Sequence, residues 1–355
     1  MDTSTLSELF QSSGPFATAF VDVGHENENG EHEHELRVRA ACEQLRDQGA
    51  DDKVVALVAE RLGELPAQPS PVARVVVANA DGVGYDELAS TRVDVPTATW
   101  APLPDLARWI EHRDSAVTFV LALVDHEGGD VALYSSDVPA AEEEASVGGE
   151  ERFVHQVPVG GWSALRYQRN TENVWARNAE AVVDEVVGHV RRGHRLVLLA
   201  GDPQSRGLVR DKLAGTEAEL VELETGSRAD DGGDDAQAQA VREALLEQVV
   251  TRRLGRVHEL RERLGRGEGA VAGIDDVTEA FVRGQVDTLL IDPAAAAEQE
   301  IDPRTYRGLS IGTQETVRAD LALVAAAVLT SASVTVAGRT ALGNQPVAAL
   351  LRWDQ

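Results

Sequence analysis

The chain has 355 residues, 43% hydrophobic and 26% charged, which suggests two to three globular domains at ordinary domain sizes. Thirty-three basic residues against sixty acidic give a net charge of −27. A field of that sign opposes nonspecific attraction to phosphate, so composition excludes a general nucleic-acid binder, and any RNA contact must be local. Met1 to Gln11 carries neither a basic n-region nor an apolar h-region. No later segment offers the roughly 20 uninterrupted apolar residues of a spanning helix. The single cysteine, Cys42, cannot form an internal disulfide and has no partner at metal-ligand spacing, so a reducing, cytoplasmic setting is the expectation.

In chain order, Pro15 to Val23 is an apolar strand candidate, followed by an acidic loop and two helical stretches at Glu31 to Gln48 and Asp51 to Leu62. Pro66, Pro69 and Pro71 break the pattern. Val72 to Ala78 reads as a buried strand and Asp81-Gly82 as a tight turn. The proline-punctuated stretch Pro96 to Pro104 then leads into a short helix around Leu106 to His112. A first domain, 1–113, ends here. Val117 to Val124, the turn from Glu127 to Asp130, and Val131 to Tyr134 read as a β-hairpin, with an acidic loop from Glu142 to Glu151 after it. Trp175, Ala179, Val182, Val183, Val186, Val187 and Val190 recur at helical spacing, so Thr171 to Arg192 is expected to be an amphipathic helix. Thr171 stands at its N-cap and Gly193 at its end.

Leu196 to Ala200 (strand), Gln204 to Leu213 (helix) and Glu219 to Leu223 (strand) continue the alternation, which implies a sheet with helices on its faces. Gly226 to Asp235 reads as a solvated loop, and Ala236 to Arg266 as a long connecting helix that closes a second domain, 114–266. The third, 267–355, alternates Asp275 to Arg283 (helix), Val286 to Ile291 (strand), Glu315 to Leu329 (helix), Ser333 to Val336 (strand) and an apolar end, Val347 to Trp353. The fold class is therefore α/β in three domains. A central mixed sheet with helices is followed by the long helix and a small α/β C-terminal domain.

Between the hairpin and the long helix of the second domain lies Val157-Pro158-Val159-Gly160-Gly161-Trp162-Ser163-Ala164-Leu165-Arg166-Tyr167-Gln168-Arg169. This segment resembles the archaeo-eukaryotic class-1 release factors and Pelota, which carry Gly-Gly-Gln or a degenerate version of it before Ser-Ala-Leu-Arg-Phe and a long helix. Leu196 to Gly201, Gly284 to Ile291 and Ala349 to Trp353 extend the resemblance to about residues 117–353. Gly14 to Phe16, running into Asp22 and His25, is similar to the start of the bacterial branch, which includes the Balon-type ribosome-hibernation proteins. The first domain has no clear Asn-Ile-Lys-Ser motif, which puts stop-codon reading in doubt.

The resemblance implies a factor that occupies the ribosomal A site as a stand-in for tRNA. Gly160, Gly161, Trp162, Ser163, Arg166 and Arg169 would meet rRNA near the peptidyl-transferase centre. The third domain would contact a translational GTPase such as elongation factor Tu, and the outcome would be hibernation or rescue. Trp162 stands where the family has glutamine. Indole has one N–H donor and no acceptor, so it cannot position a water against an ester as an amide does; it can stack on a base or ribose, or else fold back onto its own domain. No catalytic residue and no cofactor are expected, and peptide release is not. The competing reading is a peptidyl-tRNA hydrolase or tRNA nuclease, in which Arg166, Tyr167 or Gln168 supplies what Trp162 lacks.

Charge supports a local RNA surface. From Gly160 to Arg195 six arginines (Arg166, Arg169, Arg177, Arg191, Arg192, Arg195) face four acids (Glu172, Glu180, Asp184, Glu185), a surplus of +2. The arginines from Arg252 to Arg266 form a second basic stretch, which Glu259 and Glu262 interleave in the manner of a salt-bridged helix face. His25, His32 and His34 among glutamates lack the spacing of a metal motif. Asp125 and Asp202 each follow a predicted strand and would meet at one sheet edge, as nuclease carboxylates do, although two acids among sixty need little explanation. Gly201-Asp202-Pro203 offers a helix N-terminus with an anion-repelling aspartate.

Overall fold

The computed structural model describes residues 6–24, 30–67, 71–93, 95–137, 141–148, 162–224 and 234–353. Their contacts divide the chain into an outer unit, Met1–Ser115 with Val250–Gln355, and a middle unit, Ala116–Val249. The architecture is α/β in both.

In the outer unit, β1 (Phe16–Asp22), β2 (Ala73–Asn79), β3 (Gly82–Ala89) and β4 (Thr97–Ala101) form an antiparallel sheet in the order β3-β2-β1-β4. Strand side chains alternate between faces. On β1, Ala17, Ala19 and Val21 meet α1 (Gly30–Asp47) and α2 (Asp52–Gly63), while Phe16 and Phe20 enter a second core on the far side. Both faces are covered, so β1 reads as a continuous apolar run. Asp51 caps α2 by accepting from the Lys53 N–H at 2.8 Å, one of the donors a helix start leaves orphaned. Strands β3 and β4 go beyond the sequence-based expectation. Strand β4 sits among prolines because it is a sheet edge, where no partner needs those missing N–H groups. Its outward backbone is occupied instead by Gln48, whose amide donates to the Ala98 carbonyl at 2.9 Å and accepts from the Trp100 N–H at 3.0 Å.

A short helix, α3 (Ala107–Asp114), leads out of this sheet. The rest of the outer unit comes from the other end of the chain, and this sheet runs β10 (Ala270–Ala272), β15 (Val347–Leu351), β11 (Val286–Ile291), β14 (Ser333–Val336), with β11 and β14 parallel. With it come α7 (Ile274–Val282), α8 (Pro293–Ala297), α9 (Ala319–Leu329) and the two-residue pair β12 (Glu300–Ile301) and β13 (Val317–Arg318). Helix α9 begins four residues later than the periodicity predicts, because Val317 pairs with Ile301 as a strand and buries there. Trp109, Ile110 and Phe16 from the first segment share one continuous core with Phe281, Leu289, Leu321 and Leu323 from the last.

The middle unit is a five-stranded sheet, β7-β6-β5-β8-β9, made of β5 (Thr118–Val124), β6 (Gly128–Ser135), β7 (Glu143–Gly148), β8 (Leu196–Gly201) and β9 (Glu219–Glu222). Helices α4 (Trp162–Arg191) and α5 (Pro203–Leu213) cover one face, and the first half of α6 (Asp234–Arg266) the other. Two expectations change. The acidic loop after the hairpin contains an edge strand, β7, which pairs with β6 from Gly128 to Leu133 and sends Val147 onto the core. Helix α4 begins at Trp162, so Thr171 lies inside the helix and is not its cap. The solvated-loop reading of Gly226 to Asp235 falls almost wholly outside the described residues. No helix among the described residues is long and apolar enough to cross a membrane.

Candidate functional site

The site begins with the packing of α4. Ala179, Val182, Val186 and Val190 recur at three- and four-residue steps and bury against Val120, Val124, Val131 and Leu133 of the sheet. The hairpin between β5 and β6 approaches α4 so closely that a Cβ on Gly129 would come within 2.8 Å of a Val182 methyl and 3.1 Å of the Leu123 carbonyl. Asn178, 6% exposed, donates to the His126 carbonyl at 3.0 Å. The Trp175 ring stands edge-on to the His126 imidazole at 6.2 Å. Sequence reasoning missed this anchor; its one signal is a polar residue beside Ala179, at the margin of the apolar stripe.

The anchor fixes where the preceding turns of α4 start. Trp162, Ser163, Arg166 and Arg169 lie on its first turns, and Gly160 and Gly161 lie outside the described residues. The remaining arginines of the window are not all spare. Arg192 reaches Glu143 on β7 at 2.7 Å and Arg195 reaches Glu217 at 2.7 Å, both acids from outside the window that the sequence count covered. Arg191 is exposed.

The basic stretch of α6 is largely a salt-bridged helix face. Arg256 and Arg263 pair with Glu259 at 3.3 and 2.7 Å, and Arg266 pairs with Glu262 at 3.3 Å. Arg263 also donates to the carbonyls of Gly269 and Leu351. Arg252 and Arg253 turn to Asp114.

The two strand-end aspartates do meet at one edge, since β5 and β8 are parallel neighbours and Val124 stands opposite Gly201. A Cβ on Gly201 would lie 1.9 Å from the Val124 carbonyl, and its φ is +112°, so only glycine fits there. Each carboxylate is used locally. Asp125 accepts from the N–H groups of Glu127 and Gly128 at 2.7 and 3.0 Å. Asp202 caps α5 through the Ser205 N–H at 2.9 Å, and that hydrogen bond holds its carboxyl below the usual range. Among the described residues no group of three His, Cys, Asp or Glu is arranged to hold a metal ion. His25 lies outside the described residues, His32 stands 3.8 Å from Glu35 on exposed helix, and His34 is buried.

The outer unit has a cavity of about 700 Å³ at the carboxyl ends of β11 and β14, lined by Thr99, Asp105, Arg253, Asp292 and Arg318 among others. Arg318 bridges Asp105 at 2.9 Å and Asp320, 1% exposed, at 2.6 Å, so its guanidinium is committed within the wall. No sequence pattern announces this cavity, because its lining is drawn from residues 18 to 338.

Residues 118–266 match the family model of bacterial archaeo-eukaryotic release factor family 2. Over 302 residues, 82% of this chain and 78% of the other, the sequence is 24% identical to Uncharacterized protein Rv2629 of Mycobacterium tuberculosis strain H37Rv. Among solved structures, Archaeoglobus fulgidus Pelota aligns over 99% of this chain and 92% of its own at 13% identity and a TM-score of 0.37. Saccharomyces cerevisiae Dom34, described as a translation termination-like factor in RNA quality control that interacts with Hbs1, aligns over 80% and 79% at 10% identity and a TM-score of 0.39. The middle region of this chain, with its connecting helix, is thus similar to the bacterial relatives of the archaeo-eukaryotic release factors.

Proposed function

We propose that this chain is a ribosome-binding translation factor that occupies the A site in place of tRNA or a release factor, in hibernation or rescue, and does not release peptide. One observation carries the reading: the family match spans residues 118–266 and so contains Gly160-Gly161-Trp162, with Trp162 opening a helix whose first turns also carry Arg166 and Arg169 in sequence. An aromatic and two arginines within eight residues suit a structured RNA, because a ring stacks on a base face whatever the sequence and cations take neighbouring phosphates. The indole that replaces the family's amide has one donor and no acceptor, so this side chain does not hold a hydrolytic water as glutamine does. The segments 1–113 and 267–355 would serve the decoding end and a translational GTPase such as elongation factor Tu. Closeness to the Balon-type hibernation proteins belongs to the same proposal.

The test is co-sedimentation with ribosomes across a salt series, paired with a peptidyl-tRNA hydrolysis assay on programmed ribosomes. Binding that weakens steeply with salt, with no hydrolysis above background, is the expected result. Hydrolysis that survives Trp162→Ala would overturn the reading in favour of a hydrolase or nuclease.

A further inference from the structure

A second cavity, of about 500 Å³, lies within the outer unit between the start of β10, the end of β15 and one face of α7. Asp276, Glu279, Ala280 and Arg283 recur at steps of three, four and three residues, so α7 turns all four to the cavity. Val271, Ala280 and Leu351 give it an apolar wall, and Glu268 comes from the turn before β10. Three acids thus face one arginine, and that arginine is taken: Arg283 pairs with Glu279 at 2.8 Å. Glu268 and Asp276 are exposed and have no cation partner among the described residues. Surface acids need no ligand to explain them, and Asp276 in the first turn of α7 is favoured there by the helix macrodipole.

Gln285 does need one. It is 5% exposed and lines the same cavity. Its backbone is held on both sides, the N–H donating to the Ala280 carbonyl at 3.0 Å and the carbonyl accepting from the Arg352 N–H at 2.8 Å. Its side-chain amide has no hydrogen-bond partner among the described residues. A buried amide without a partner is unfavourable, and an apolar side chain of the same length would fill the space without that penalty. The acid surplus excludes phosphates and carboxylates as the missing partner. A bare metal ion is excluded as well, because among the described residues no group of three His, Cys, Asp or Glu is arranged to hold one. What fits is an organic cation that brings N–H donors on an apolar stem.

We propose that this cavity binds a small linear polyamine. One ammonium group donates to the Gln285 side-chain carbonyl, a second meets Glu268 and Asp276, and the methylene run between them lies on Val271, Ala280 and Leu351. A volume of about 500 Å³ is in the range of small-molecule sites. Ribosome binding plays no part in it.

The experiment is calorimetric titration of the full chain with spermidine at constant ionic strength, where saturable binding of one molecule per chain is expected. Glu268→Gln with Asp276→Asn should weaken it roughly three- to tenfold, the range for two exposed charge contacts. Asp47→Asn with Glu60→Gln makes the same charge change at exposed positions on α1 and α2 and should leave the affinity unchanged. Gln285→Met should weaken binding while Tm holds or rises, since it removes an amide that has no partner; a purely structural Gln285 would show the reverse, a lower Tm with unchanged affinity. Absence of saturable binding would overturn the proposal. So would equal weakening by the two charge pairs, which would reduce the effect to attraction by a chain of −27. N-acetyl-lysine methylamide, with a single ammonium group, should bind more weakly than spermidine; equal affinity would overturn the two-ended site.

Discussion

His189 is 1% exposed, and the Arg192 guanidinium lies 2.8 Å from its Nδ1. Burial first and Arg192 second hold its pKa below the ordinary histidine value, and Glu143 and Glu185 oppose the shift only in part. A histidine whose folded pKa is depressed binds fewer protons folded than unfolded, so its stabilising contribution is present above about pH 6.5 and is lost as pH falls below it. The urea midpoint of the middle unit should therefore drop between pH 7 and pH 5 by more in wild type than in His189→Gln, which keeps a hydrogen-bonding side chain without the titration. Identical drops would assign the acid sensitivity to other groups. Trp162 poses a different single-residue question. As a stacking contact, Trp162→Ala should weaken ribosome binding by about 1 to 3 kcal/mol while Tm stays nearly constant. A tryptophan packed in its own domain would reverse the pattern, with about 3 to 5 kcal/mol lost from folding and affinity per folded molecule unchanged.

A helix turns a spacing into a face, and α4 is where this matters most. Under the proposed function, Arg166→Glu and Arg169→Glu should weaken ribosome binding and flatten its salt dependence, because each phosphate that goes without its arginine keeps its own counterions and lowers the slope by about one. Charge reversal at Arg192, already spent on Glu143 at 2.7 Å, should alter that slope far less; equal effects would mean that only net charge matters. Periodicity reveals α4, α6 and the buried strands because their apolar residues keep one rhythm over many turns. It fails on β3, β4 and β7, where the partner strand and not the pattern makes the strand: Glu143 and Glu144 of β7 are acids on an edge, paired with Leu133 and Ala132. It misplaces the start of α4 because Thr171 has the chemistry of a cap, while nine further residues of helix precede it. The meeting of Asp125 and Asp202 is legible, since both end strands of one parallel pair. Their local use is not, because it depends on turn geometry that spacing leaves open.

At the scale of the whole chain, the segment before Ser115 and the segment after Val250 share a core in which Phe16, Trp109 and Ile110 touch the same cluster as Phe281, Leu289 and Leu323. Residues some 200 positions apart are therefore expected to unfold together, since none of these side chains stays buried once its partners leave. Leu323→Ala leaves a cavity on α9 and should cost about 2 to 5 kcal/mol. Although it alters only the last segment, it should lower hydrogen-exchange protection at Phe20 and Val75 in the first sheet by nearly that whole amount. Val182→Ala, in the separate core under α4, should leave those amides unchanged and weaken protection at Val120 and Leu198 instead. Protection at Phe20 that ignores Leu323→Ala would split the outer unit into two independently folding halves, and the shared core would then be a docking surface between them.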